Sequence, residues 1–341
     1  MSEPTSSYTI NAMAAVATKP CHVEFLSVTV QSPGPDDVTV RIVHSWISNG
    51  TEGSFVRGER IQGDVPLSDT DPSPFPNATG YQKCGIVEAV GADVTGLAVG
   101  DEVFVSISQI DGMFYPYGGH ISPSVSPQSQ VWKLPANVSM LAASGLVLTQ
   151  VGYNCGIRPP VSKGDTAIVI GDGMVGHWAA QTLQWRGARV ALLGRHDDRL
   201  SPFEVGSGDL RINEKKQDRD AVLREWAPEG INIIVDTVGS VPTMLELFEQ
   251  LKRDGHIVSA GFYGHEGNID IQLLRHREAT LHTPAGWTKE RMDATLDLLA
   301  KGVLTTEHLI THRFPAADCG AAFDLILKRN EPVLGVILDW E

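Results

Sequence analysis

The sequence predicts a mixed α/β protein, with a β-rich first half followed by a doubly wound domain on a parallel sheet. Three observations predict it. Short alternating runs such as Val38–Val43 and Glu102–Ile107 are separated by turn-rich stretches, SPGPDD at 32–37 and VGADVTGLAVGDE at 90–102. From about Leu141 the pattern changes, and short apolar strands alternate with helical stretches, which implies a parallel sheet covered on both faces. Between one such strand and its helix lies the glycine-rich run GDGMVG at 171–176.

In chain order, the stretch from Gly58 to Gly80 is polar and proline-punctuated and predicts an extended loop, the usual form of a lid or binding loop. LAASGLVLTQVGYN, 141–154, reads as a helix of small residues. KGDT at 163–166 is a turn and AIVI at 167–170 a wholly apolar strand. Further strands are predicted at Arg189–Leu193, Ile231–Asp236 and His256–Ser259, and a helix at Lys289–Ala300. After about Ala285 the chain returns to another unit.

The chain has 341 residues, which suggests two domains. It carries 27 Lys and Arg against 41 Asp and Glu, a net charge of −14. That balance, with no long basic cluster, makes the chain a poor candidate for gripping nucleic acid or an anionic membrane. Four scattered cysteines with no CxxC pair argue against a disulfide framework or a structural zinc knuckle. The polar start MSEPTSSYT is not a signal peptide, and no apolar stretch is long enough to span a bilayer, so the expected location is the cytoplasm.

In GDGMVG, Gly171 permits the tight turn, Gly173 admits a pyrophosphate to the backbone, and Gly176 lets helix and strand pack closely. Met174 and Val175 open the helix, whose free N–H groups face the anion. The alternative is a glycine-rich turn that binds nothing. Asp172 must point away from the phosphates, or it would repel them. The second strand ends at Gly194, Arg195 and His196, where an acidic residue would bind a ribose 2′-hydroxyl. No acid stands there, and a guanidinium can grip a 2′-phosphate. NADP(H) is therefore favoured over NAD(H). The alternative is that Arg195 is a solvated strand-end charge and cofactor choice is mixed.

SPGPDDVTVRI (32–42), GTE (50–52), TGYQKCGIVEAVGADVTGLAVGDEVFV (79–105), GLVLTQVGYN (145–154), GDGMVG, IIVDTVG (233–239) and ITHRF (310–314) together resemble the medium-chain dehydrogenase/reductase superfamily along nearly the whole chain. Within it, the GTE motif is similar to the branch related to bacteriochlorophyllide a dehydrogenase. The resemblance implies a GroES-like catalytic domain over 1–150, completed by 286–341, a Rossmann domain over 151–285, and a homodimer or homotetramer. Zinc members carry CGTD, GHE and a third ligand before the Rossmann domain. Here those positions fall on Ser48 or Asn49, on Tyr81, and near Gly145, a set that suits zinc badly. No zinc is expected. The four-cysteine structural zinc lobe is missing from 93–135 as well.

Without the metal, side chains must move the proton and steady the oxyanion. Tyr81 stands in place of the histidine ligand and is the first candidate; the other reading makes it a wall of the pocket. Lys83 either shares its face and lowers the phenol's pKa or, the preferred reading, is an exposed lysine. Thr51 matches the family's hydroxyl relay and Ser48 lies beside it; both could equally cap a turn. Thr149 matches a residue that touches the nicotinamide end in relatives, or bonds its own helix. The family layout puts Trp46, Asn49, Tyr115, Tyr117, His120 and Trp287 along the substrate. The strand ends at Thr237–Val238 and Gly261–Phe262 would touch the nicotinamide or its ribose, or are ordinary turns.

The sequence thus points to a zinc-independent, NADP(H)-linked enzyme interconverting a small alcohol and a carbonyl. The alternatives are a quinone or enoyl C=C reductase and a catalytically silent nucleotide-binding protein. Neither nucleic acid nor membrane is an expected partner.

Overall fold

The computed structural model describes residues 9–340; most of the polar start lies outside them. The described chain forms two compact units, one running to Val147 and resuming at Ile310, the other Leu148–Leu309.

The first unit is built on β-sheet. Strands Val131–Lys133, Glu102–Val105, Lys83–Val90, Asp37–Ile47, Gly335–Asp339 and Ile310–Pro315 lie side by side in that order, antiparallel except for the last pair. A second sheet pairs Thr9–Lys19 with His22–Gln31, with Ile121–Ser122 and Asn77–Ala78 on the other edge of Thr9–Lys19. Alternation decides the faces: Val38, Val40 and Ile42 are buried with Val87, Val103 and Val105. The segment 58–80 is not one extended loop. Arg60–Gln62 pairs with Val65–Pro66, and Asn77–Ala78 joins a sheet. Helix Thr51–Arg57 starts directly after the long central strand and ends at Gly58, whose φ of 77° suits a left-handed cap.

The second unit is a six-stranded parallel sheet in the order Leu210–Asn213, Arg189–Gly194, Thr166–Ile170, Ile231–Asp236, Leu251–Ser259, Thr280–His282. Strand order reverses beside Thr166–Ile170, the place where such sheets bind ligands. The all-apolar run is explained by burial on both faces. Ile168 and Ile170 pack into one layer with Leu193, Ile234 and Leu247, while Ala167 and Val169 pack into the opposite layer with Leu183, Leu192 and Val235. Each buried aliphatic side chain contributes about 1.5–3 kcal/mol. The single helix expected over 141–154 is two, Met140–Ala143 and Leu146–Ile157. The edge strands Leu210–Asn213 and Thr280–His282 were not legible as strands, being short and polar.

Candidate active site and nucleotide loop

Helix Met174–Trp185 begins at Gly173, which is extended and gives no side-chain cap, and a helix N-terminus favours an anion. A Cβ on Gly173 would meet only Arg199 Nη2, at 3.6 Å. Its neighbours are crowded instead. A Cβ on Gly176 would lie 2.0 Å from the Gly171 carbonyl oxygen, and Gly171 has a φ of 117°. A dinucleotide pyrophosphate fits this open, uncapped loop.

Asp172 is turned away from that opening. Its Oδ2 accepts the backbone N–H groups of Arg195 (2.9 Å) and His196 (3.1 Å) and contacts His196 Nδ1 at 3.1 Å; its Oδ1 pairs with Arg199 at 2.7 Å. The carboxylate fills the space beside Gly194, where a Cβ would meet Asp172 Oδ2 at 2.5 Å. The loop and the second strand end are thereby bolted together. The Arg195 side chain is 64% exposed, 3.9 Å from Glu214. At the next strand ends, buried Asp236 accepts N–H bonds from Val238, Gly239 and Ser240 and the Tyr263 hydroxyl. A Cβ on Gly261 would stand 1.9 Å from the Gly239 nitrogen, so the Thr237–Val238 and Gly261–Phe262 turns pack backbone to backbone. Val238 is exposed there. Thr149 is buried, and Trp287 is half-buried in the segment that connects Thr280–His282 to Lys289–Ala300.

In the first unit, the phenol of half-buried Tyr81 is hydrogen-bonded by the side chains of Ser48 and Thr51. All three side chains singled out for proton transfer are brought together. Burial and the nearby Glu52 push the Tyr81 phenol above its ordinary range, against the lowering effect of Ser48, Thr51 and Arg60. Glu52 Oε1 accepts the Ser48 N–H at 2.8 Å, and Oε2 lies 2.9 Å from His120 Nε2. His120 Nδ1 is 2.8 Å from Ser45 Oγ, which accepts the Trp340 indole N–H at 2.9 Å.

Several expectations need correction. His120 does not line a substrate surface, since it is fully buried and both ring nitrogens are engaged. Trp46 is also fully buried, its ring against Gly145, where a Cβ would stand 2.8 Å from Cε3. Asn49 gives its amide N–H to Leu334 O at 2.6 Å. Lys83 is not exposed and does not lower the Tyr81 pKa. It is fully buried, with Nζ donating to Ser106 O (3.2 Å) and Gly118 O (3.5 Å), and burial lowers its pKa to about 7. Tyr81 precedes the strand that Lys83 opens, so strand alternation does not relate the two. Tyr115 and Tyr117 form a separate aromatic group with Phe55, with centroids 5.7 Å and 6.2 Å apart.

The residues at the positions of the zinc ligands offer a hydroxyl from Ser48, a phenol from Tyr81 and nothing from Gly145, where the Trp46 ring blocks any side chain. This donor set does not fit zinc, which takes thiolate, imidazole or carboxylate. Among the described residues no group of three or more His, Cys, Asp or Glu is placed to hold a metal. The nearest acid and imidazole, Glu52 and His120, are committed to each other.

Residues 34–136 match the alcohol dehydrogenase GroES-like domain family, and residues 174–301 the zinc-binding dehydrogenase family. The chain belongs to the medium-chain dehydrogenase/reductase superfamily. It is similar to 2-desacetyl-2-hydroxyethyl bacteriochlorophyllide A dehydrogenase of Cereibacter sphaeroides, 26% identical with 96% of this chain and 98% of the relative covered. Among solved structures it resembles 2R,3R-butanediol dehydrogenase from Bacillus subtilis, with a TM-score of 0.82, 19% identity, and 97% of this chain and 100% of the other covered. A zinc-binding dehydrogenase from Sinorhizobium meliloti bound to NADP has a TM-score of 0.79 at 18% identity, covering 97% and 99%. The fold of this superfamily member is thus the GroES-like unit with a Rossmann sheet; its relatives include alcohol and polyol dehydrogenases, and solved neighbours are bound to NADP or NADH.

Sequence reasoning set His120 along the substrate and considered Glu52 only in the GTE motif and, with His120, as an improbable zinc ligand; it did not foresee that the two bind each other. It missed Arg199 beside the loop, which only a guanidinium three residues beyond His196 could have signalled.

Proposed function

We propose that this chain is a zinc-independent, NADP(H)-linked oxidoreductase that interconverts an alcohol (a polyol, sugar or cyclic alcohol) and a carbonyl compound. The observation that carries the reading is the Tyr81 phenol bonded by Ser48 and Thr51, standing where zinc relatives hold a ligand. When bound, the nicotinamide cofactor supplies or accepts the hydride. Tyr81 gives a proton to the carbonyl oxygen as it becomes an alkoxide, or takes one from the alcohol. Ser48 and Thr51 orient the phenol and share the charge left on its oxygen. The Gly171–Gly176 loop would hold the pyrophosphate, with Arg195 toward a 2′-phosphate. Relatives named for butanediol and D-xylulose support the polyol class. Assembly as a homodimer or homotetramer in the cytoplasm, acting on a small molecule, belongs to the same reading.

Tyr81→Phe is expected to slow NADPH-dependent reduction across a ketone and ketosugar panel by roughly 10²–10⁴-fold, while a chelator leaves the wild-type rate intact. Wild-type turnover in Tyr81→Phe, or one tightly held zinc whose removal abolishes activity, overturns the reading. Arg195→Ala should weaken NADPH binding by about 1.5–3 kcal/mol and leave NADH binding unchanged. Equal effects on both cofactors would remove the 2′-phosphate assignment. Oxidation of NADPH by enones but by no ketone would favour C=C reduction.

A further inference from the structure

In the unit Leu148–Leu309, an open pocket of about 430 Å³ borders the ends of strands Arg189–Gly194 and Leu210–Asn213. Arg195, Lys215 and Arg219 line it, and so do Glu214, Asp218 and Asp220. Three cations facing three acids leave no surplus of positive charge for a phosphate dianion. Arg219 is committed among carboxylates, to Glu214 (3.2 Å), Asp220 (2.9 Å) and Glu246 (3.1 Å). Asp218 accepts the Ala221 N–H at 3.1 Å and caps the helix Arg219–Trp226. Glu214 is placed differently. Its backbone N–H donates to the Gly194 carbonyl oxygen at 2.9 Å, beside the strand end where an acid would take a ribose 2′-hydroxyl. Its half-buried side chain bridges the two guanidinium groups, Oε1 on Arg219 Nη1 and Oε2 at 3.9 Å from Nε of the exposed Arg195. Asp172, the other acid beside Gly194, has both oxygens committed to Arg195 N–H, His196 N–H and Arg199.

We infer that Glu214 is a specificity-determining residue: it takes the ribose 2′-hydroxyl of NAD(H) in place of the missing strand-end acid and draws Arg195 away from the 2′-phosphate of NADP(H), so that the preference for NADP(H) is narrow. The inference rests on the Gly171–Gly176 loop holding the pyrophosphate and on Arg195 facing the 2′-phosphate. A ribose 2′-hydroxyl is a donor, and a carboxylate accepts from it. A 2′-phosphate has only acceptor oxygens and negative charge, so the same carboxylate repels it. The Arg219 pair pins Glu214 on its far oxygen, so the carboxylate does not leave when the larger nucleotide enters. Arg195 is the part that moves. It is exposed, and its contact with Glu214 is long enough to exchange for a bidentate grip on phosphate. NADP(H) thus gains a guanidinium and meets a fixed carboxylate, whereas NAD(H) gains a hydrogen bond and meets no repulsion.

The test is a fluorescence titration of the full chain with NADPH and with NADH, without substrate and at one fixed salt concentration. The two wild-type Kd values should lie within about tenfold of each other. Glu214→Gln should tighten NADPH and weaken NADH, moving their ratio by about tenfold or more, while Glu214→Asp, which keeps the charge, should stay nearer the wild-type ratio. In an Arg195→Ala background the gain in NADPH affinity from Glu214→Gln should shrink, since the guanidinium it would release is gone. A wild-type gap wider than about tenfold, or a ratio unmoved by Glu214→Gln, overturns the inference. The wild-type ratio decides alone where Glu214→Gln does not fold. Arg195→Ala acting on both nucleotides alike, or on neither, overturns the 2′-phosphate reading instead. A loss in Arg195→Ala confined to NADPH, with the ratio unmoved by Glu214→Gln, overturns only the inference.

Discussion

Lys83 is the residue whose energetics depart furthest from its type. Fully buried and bonded to two backbone carbonyls, its amine titrates at about 7, against about 10.4 in an unfolded chain. Between those values the unfolded state binds the extra proton, so stability rises with pH; below about 7 both states are charged and the full cost is present. The window is worth on the order of 5 kcal/mol. Lys83→Met is expected to add roughly 1–3 kcal/mol near pH 7 and to flatten the rise. Urea unfolding at pH 6.5 and 9.5 checks both, and an unchanged pH slope would show that Lys83 does not titrate in this window. Nothing local marks this lysine as buried. Its place opposite Ser45 in the central strand pair removes it from water. For Tyr81, by contrast, the resemblance to the superfamily already picked out positions 48, 51 and 81.

At the scale of elements, the glycine loop is the most legible part of the chain. A strand of five wholly buried residues, a glycine turn and a twelve-residue helix follow from composition and spacing alone. Gly176→Ala tests the close approach. With its Cβ 2.0 Å from the Gly171 carbonyl, strand and helix must separate. The expected outcome is a loss of about 1–3 kcal/mol of stability and at least tenfold weaker NADPH binding, read by thermal melting and by fluorescence titration. An unaltered affinity would place the pyrophosphate elsewhere. Edge strands were less legible, because Leu210–Asn213 and Thr280–His282 are short and carry polar residues; the neighbouring strand pairs with them and makes them strands. The 58–80 segment was misjudged for the same reason, since its short strands exist only through their partners.

At the scale of the molecule, each unit has its own apolar core, and the net charge of −14 leaves any phosphate-bearing ligand dependent on local donors. The loop donors lie in the unit Leu148–Leu309. NADPH at 100 times its Kd should therefore add about 2.7 kcal/mol to that unit's unfolding free energy, visible in calorimetry as a raised transition; the absence of any shift with either nicotinamide nucleotide would argue against cofactor binding. The four thiols are all free, Cys21 exposed and Cys84, Cys155 and Cys319 buried. No helix among the described residues is long and apolar enough to cross a membrane.

The sequence by itself determined the mixed α/β plan and the glycine-rich strand–turn–helix, since each is written in residues close together along the chain, while the hydroxyls at positions 48, 51 and 81 were picked out by the resemblance to the superfamily. Only the tertiary structure decided that Glu52 meets His120 across 68 residues, that Asp172 fills the space beside Gly194, and that Lys83 is dry. Those outcomes depend on strand register and on which backbones pack together, and short-range patterns of residue type do not encode either.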